Sequence, residues 1–312
     1  MYEYPSILFI AIHRRGMTII QLWIEKHLKY IFTLPSVLFV LIMIVFPVGY
    51  TAYLSFFDWS MSSVSPPKWV FLDNFKKIFF DDPRFWPAFF RTFYFTILAV
   101  VTQTVLGVAI ALLFFRNFKG SNLVKTLFLL PMVSTPVAIG LVWLLIFEPS
   151  IGFANQFLGY FGIDPQLWIA SPKQALPAIA MVDTWQWTPM ITLITLAGLS
   201  QLPNENYEAA AVDGANAWQI FWKITLPLMA PTIFAAVLLR SIDAVKHFDL
   251  IYAMTQGGPG YATETLNIYG FANGFQYFKL GYTSAILMVF FMIVLIMSCL
   301  ILIFRKKTEV TL

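Results

Sequence analysis

Several side chains able to carry charge or bind polar groups stand inside stretches that are otherwise apolar: Asp183, Arg240, Asp243, Lys246, His247 and Asp249. Charge taken out of water survives when it is paired or when it faces a bundle interior or a water-filled path. If each stretch is a helix, Asp183 lies roughly 14 Å from one end of its run and Arg240 roughly 17 Å from the opposite end of the next, at 1.5 Å per residue. Both depths are near a bilayer midplane, so the two are expected to pair, across neighbouring helices or across a subunit interface. Arg240, Asp243, Lys246 and Asp249 recur at three-residue steps, which stacks alternating charge on one helix face. That face reads either as a structural ladder or as the polar lining of a solute path. Trp185, Gln186, Trp187 and His247 extend the second reading, because hydroxylated solutes pair with polar groups and lie against rings. No nucleophile–base pair stands out. His13, His27 and His247 are too scattered for a metal cage, and the single Cys299 excludes an intrachain disulfide.

The elements that must carry these groups follow from composition. The chain has 312 residues, 59% hydrophobic and 12% charged, with a mean hydropathy of +0.74. A soluble domain carries roughly 25% charged residues, so an integral membrane protein is expected. The net charge of +4 then reports orientation in the membrane and gives no sign of nucleic acid. Six runs reach the roughly 20 residues that span the hydrocarbon layer: residues 30–57, 92–115, 126–147, 174–199, 229–253 and 280–304. Helix is the expected backbone of each, since unpaired peptide groups are too costly in lipid. Pro35, Pro47, Pro131, Pro136, Pro177 and Pro189 are expected to kink them. The fold class is thus all-α, an integral membrane bundle of six transmembrane helices. Residues 1–29 form an N-terminal tail, 30–304 the transmembrane domain and 305–312 a C-terminal tail.

Six spans place both termini on one side. With that side cytoplasmic, the inner segments hold Arg14, Arg15, Lys26, Lys29, Arg116, Lys119, Lys125, Lys223 and Arg305 to Lys307, against a smaller set outside, as the positive-inside bias requires. The first residues do not follow a secretory signal pattern, since the basic residues come after the short apolar run. Residues 16–29 are mixed apolar and basic and read either as lying along the membrane surface or as a frayed tail. Residues 58–91 are rich in aromatics and are expected to form a short helix at the outer interface.

The loop at 200–228 then faces the cytoplasm. Asn204 or Asn206 is expected to cap a first short helix containing Glu208 to Asp213. Gly214 permits a sharp turn, and a second short helix over 218–224 is expected to end at Pro227. Ala209, Ala210 and Ala211 would present a small-residue ridge that another protein can approach closely.

That loop carries the pattern EAA-x3-G-x9-I-x-L-P, through Glu208, Ala209, Ala210, Gly214, Ile224, Leu226 and Pro227. It resembles the coupling loop of ABC importer permeases, the type I (MetI-like) fold. DTWQWTP at 183–189, LAGLSQLP at 196–203, TQGGPGYATETL at 255–266, FFDDPRFWPAFFRT at 79–92 and LGYTSA at 280–285 are similar to the carbohydrate-uptake branch, of maltose and glycerol-phosphate type. The similarity runs over about residues 35–304, with a core near 88–304. It omits the large periplasmic insertion and the eight spans of the maltose-type subunit.

The resemblance implies a bacterial cytoplasmic-membrane subunit that moves a sugar, oligosaccharide or polyol and is not itself an enzyme. Two ATPase subunits would hold ATP and Mg and would grip Glu208, Ala209, Ala210, Asp213, Gly214, Ile224, Leu226 and Pro227. A second, homologous permease and an extracytoplasmic solute-binding protein would complete the assembly. No cofactor is expected on this chain. QGGPGY at 256–261 lacks the Lys-Ser/Thr of a phosphate loop and reads as an outer turn. Two alternatives stay open: a type I importer of a non-sugar solute, and an ion-coupled secondary transporter, for which no inverted repeat is evident.

Overall fold

The computed structural model describes residues 19–116 and 118–309. It divides at Leu54 into two units. The first holds helix α1, Ile19–Leu54, apolar on every side along its span as a lipid-solvated helix must be. Residues 19–29 continue this helix, which corrects the expectation of a separate surface-lying segment; residues 1–18 and 310–312 of the two tails lie outside the described residues.

The second unit opens with a minimal antiparallel ladder, β1 (Phe57–Asp58) with β2 (Lys68–Trp69), and a short helix, α2 (Asp73–Lys76), that continues as one wide turn to Asp81. The short helix expected from the aromatics is therefore present, over 73–81. The following span begins earlier than expected, as α3, Phe85–Phe115. Next come α4 (Ser121–Val133), α5 (Pro136–Ile146), α6 (Phe153–Gly159) and α7 (Ala175–Leu199). They are followed by α8 (Asn204–Val212), α9 (Ala217–Ile220), α10 (Leu226–Val245), α11 (Asp249–Thr255), α12 (Leu266–Phe271) and α13 (Leu280–Glu309).

Three of the six expected runs differ from unbroken apolar helices. Among the described residues four helical stretches are long and apolar enough to cross a membrane: His27–Leu54, Phe85–Phe115, Ala217–Val245 and Leu280–Ile303. The run at 126–147 is broken, with α4 and α5 meeting at 98°. Ser134 and Thr135 are extended there because Pro136 opens α5 and disfavours helix in the residue before it. The run at 174–199 forms α7, 25 residues long but diluted by Asp183, Gln186, Thr184, Thr188, Thr192 and Thr195, most of it buried. The run at 229–253 stops at Val245 and restarts at Asp249.

α3 and α7 form the most extensive pair, and α10 packs on both. A Cβ on Gly107 would stand 2.8 Å from Ile191 Cγ2, so only glycine lets α3 and α7 approach this closely. Apolar groups gather at both ends of this trio. Ala111, Leu199 and Met229 meet at one end, and Phe85, Ala88, Val245, Leu266, Tyr269 and Ala285 at the other.

Candidate functional site

The buried polar centre lies where α3, α7 and the end of α10 converge. Arg240, Asp183 and Gln103 are each 0% exposed. Arg240 donates from Nη2 to Asp183 Oδ2 and from Nε to Gln103 Oε1 at 2.7 Å. Gln103 Nε2 in turn donates to Asp183 Oδ2 at 2.8 Å and to the Asp183 carbonyl at 3.1 Å. The pair is thus closed within one chain, and the glutamine makes it a three-helix clamp. A buried ion pair survives only when further hydrogen bonds compensate desolvation, which is what Gln103 supplies.

Two rings border the clamp. The Arg240 guanidinium lies 5.3 Å from the Trp187 ring centre, and His247 Nε2 lies 3.5 Å from Asp183 Oδ1 without hydrogen-bond geometry. Asp183 Oδ1, Arg240 Nη1, Trp187 Nε1 and His247 Nε2 are buried and lack a hydrogen-bond partner among the described residues. Buried polar atoms are rarely left this way, and a group of them in one place marks a site with hydrogen-bonding capacity to spare.

The structure places Asp183, Trp187, Arg240 and His247 together. Others fall elsewhere. Gln186 reaches Ser134 O at the α4–α5 break, 3.2 Å away, and Trp185 is half-exposed, edge-on to Trp143 at 5.6 Å. Asp243 and Lys246 are exposed and pair with each other at 3.8 Å. The expected ladder does not run along one helix, because α10 ends before Lys246 and Asp249 opens α11. Gln103 was missed. A lone amide in the apolar run 92–115 was the available signal, since such a group in lipid must find a partner.

The aqueous elbow begins at α8. Neither Asn204 nor Asn206 caps it; Pro203 takes the cap position and Asn204 is already helical. Gly214 has φ of +72°, a left-handed turn that closes α8. Asn216 and Gln219 then form a reciprocal capping box at the start of α9, each bond 2.9 Å. α9 runs through a wide turn at Phe221–Thr225 straight into α10, so Pro227 occupies the first turn of α10 and does not terminate the second helix, as had been expected. Proline is tolerated there because no earlier carbonyl needs its N–H.

Glu208, Ala209, Ala211, Asp213 and Gly214 are exposed, while Ala210 is buried and departs from the outward alanine ridge. Ile224, Leu226 and Pro227 are half-buried at the root of the elbow, and Tyr207 OH meets Thr225 Oγ1 at 3.1 Å to brace it. Val212 is 88% exposed and Trp218 71%. These two exposed apolar side chains were not singled out from sequence; their mark is a large apolar residue on a polar segment.

At the far end of the bundle Arg84 forms a fork to the buried Glu264, and its guanidinium lies 4.1 Å from the Tyr261 ring centre. Asp82 accepts from Tyr282 OH at 2.6 Å, from Tyr269 OH and from the Arg84 backbone N–H at 2.8 Å. Burial raises the Asp82 pKa, but these donors and the Arg84 charge outweigh it and hold the carboxyl below its ordinary value. Burial, then the bond to Asp82, raises the Tyr269 hydroxyl. The turn at 256–261 is thereby tied to the start of α3, and Leu266 N–H donates to Thr92 Oγ1 at 2.9 Å. No cluster of metal-ligating residues occurs among the described residues.

Residues 103–310 match the family described as "Binding-protein-dependent transport system inner membrane component". A probable ABC transporter permease protein of Sinorhizobium fredii is 37% identical over 268 residues, 86% of each chain. The trehalose/maltose transport system permease protein of Thermococcus litoralis is 35% identical, over 87% of this chain and 91% of its own. The sulfoquinovosyl glycerol transport system permease protein of Agrobacterium fabrum is 34% identical over 86% of each. Among solved structures, a bacterial alginate ABC transporter crystallised with an alginate-pentasaccharide-bound periplasmic protein contains a chain of the same fold. Its TM-score is 0.79 at 21% identity, covering 92% of this chain and 97% of that one.

Proposed function

The chain belongs to the family of binding-protein-dependent transport system inner membrane components, and from that membership we propose that it forms half of the translocation pathway of an ATP-driven importer of a sugar, oligosaccharide or polyol. The observation that carries the reading is the extent of the family match, 103–310, which contains both the midplane clamp and the complete elbow. The saccharide class is favoured by relatives at 34–35% identity named for trehalose/maltose and sulfoquinovosyl glycerol. Likeness to a methionine importer is confined to fold, with a TM-score of 0.53 at 14% identity.

In this proposal two ATPase subunits, which carry the ATP and Mg, dock beneath the elbow. Exposed Glu208, Val212 and Trp218 meet the motor, and Ile224, Leu226 and Pro227 root the elbow in α10. Because α9 passes into α10 without a break, a push on the elbow is delivered along a helix to Arg240. A second, homologous permease faces this one across the pathway, an extracytoplasmic solute-binding protein delivers solute to the opposite end, and both termini lie in the cytoplasm. ATP closure of the motor then biases the bundle between inward- and outward-open states. Trp187, His247 and the unpartnered atoms of Asp183 and Arg240 supply a ring face, donors and an acceptor for solute hydroxyls.

The test is reconstitution of the complex with the ATPase encoded beside it, and uptake of a radiolabelled sugar panel. Replacing residues 208–214 by a Gly-Ser spacer is expected to abolish uptake and ATPase co-purification. Unchanged uptake by that variant, or failure of any ATPase to co-purify with the native chain, would overturn the proposal.

A further inference from the structure

Beside the tyrosine cluster, at the end of the bundle opposite the elbow, lies a cleft of about 490 Å³. Its walls include Trp59 and Tyr282 together with four charged residues: Asp58, Asp73, Lys77 and Lys279. The frame is rigid. Met61 N–H donates to Phe278 O at 2.9 Å, and Gly281 N–H to Trp59 O at 3.0 Å. Asn74 Nδ2 bridges the Ser55 and Phe57 carbonyls, at 2.9 Å each. A Cβ on Gly281 would come within 1.9 Å of Phe57 O, so the close approach of the two walls itself requires glycine.

Asp58, Asp73, Lys77 and Lys279 are exposed, and none forms an ion pair among the described residues. The two ammonium groups lie instead against rings, Lys77 Nζ 5.4 Å from Tyr282 and Lys279 Nζ 5.8 Å from Tyr277. The cleft is a preformed concavity with unpaired charges of both signs and an aromatic floor. It suits a protein surface that presents both signs, where complementary pairs fix register and speed encounter.

Resting on the importer reading above, we infer that this cleft is the socket in which a projecting segment of the extracytoplasmic solute-binding protein seats. Its floor is connected to the rest of the outer end. Tyr282 donates to Asp82, and Arg84, two residues on, holds Glu264 and the Tyr261 turn. Occupation of the socket therefore bears on the outer turn at 255–265 and on the head of α3.

The experiment uses the whole complex in nanodiscs and the purified solute-binding protein encoded in the same gene cluster. Lys77→Glu with Lys279→Glu is expected to weaken its binding by roughly 10- to 100-fold, as charge reversal at an interface does, and to abolish its stimulation of ATP hydrolysis. Basal hydrolysis and the melting temperature stay unchanged. Ser62→Trp, which plugs the cleft without touching a charge, is expected to reproduce the loss. Unaltered affinity in both variants overturns the socket while native stimulation leaves the importer reading intact. Failure of the native complex to respond to the binding protein overturns the importer reading itself. Saturable binding of free sugar to the complex, lost in the double-glutamate variant while affinity for the binding protein is kept, also overturns the socket.

Discussion

The buried clamp and the elbow at 204–227 are both polar interruptions of an apolar chain, yet they are built on opposite principles. In the clamp, Arg240, Asp183 and Gln103 bind chiefly one another, inside the bundle. In the elbow, Glu208, Asp213, Val212 and Trp218 are exposed. The first kind of polarity contributes to the stability of the fold. The second contributes little to stability and acts on another molecule. The contrast predicts that substitutions in the two regions separate stability from transport.

The largest effect on stability is expected from Arg240→Met, which leaves the Asp183 carboxylate buried without its counter-charge. A loss of about 3–5 kcal/mol is expected, read as a drop in thermal unfolding temperature in detergent. The double variant Asp183→Asn, Arg240→Met should recover much of that loss; strictly additive losses would mean that the two groups are not coupled. Gly107→Ala comes next. It drives a methyl group against Ile191 across the α3–α7 contact that sets Gln103 beside Asp183, and overpacking of this kind costs about 1–3 kcal/mol.

Asn216→Ala removes one half of the capping box and should cost about 1 kcal/mol, visible in hydrogen exchange of the α9 amides before any change in global melting. Trp218→Ser should change stability by less than about 0.5 kcal/mol. Uptake should nevertheless fall by roughly tenfold or more, since one buried aromatic anchor at an interface is worth above about 1 kcal/mol. If the tryptophan variant transports normally, the elbow surface is not the gripped one. The smallest effect concerns pH. Asp82 has a lowered folded pKa, so its contribution is complete above its ordinary value of 3.8 and is lost as pH falls through the lower folded value. Melting temperatures of the native chain and of Asp82→Asn should therefore converge only in acid, and a convergence near neutrality would contradict the Asp82–Tyr269–Tyr282 arrangement.

Much of this was legible from residue order, for physical reasons that differ by region. Lipid tolerates only apolar helices, so the long runs at 92–115 and 280–304 reappear as α3 and α13 with little more than shifted ends. The elbow was visible because a polar stretch between apolar runs has to leave the membrane, and Gly214 marked its turn. Its internal details were not visible. Pro203 displaced two plausible asparagine caps, and Pro227 opened a helix it was expected to close, since a proline is equally at home just after one helix and in the first turn of the next. The break after Val245 was hidden because a charge repeat at three-residue steps assumes an unbroken helix.

Residue order alone determined that this chain is a helical membrane protein, where its main apolar runs lie, and that Asp183 and Arg240 had to find partners, because each of these follows from transfer free energy along the chain. Tertiary structure alone decided that their pairing closes within one chain, that Gln103 completes the clamp, and that Asp82 and Arg84 draw Tyr269, Tyr282 and Glu264 together at the end opposite the elbow. Those contacts join residues up to 200 positions apart. They depend on which helix faces turn toward one another, and a one-dimensional pattern carries no such information until the helices pack.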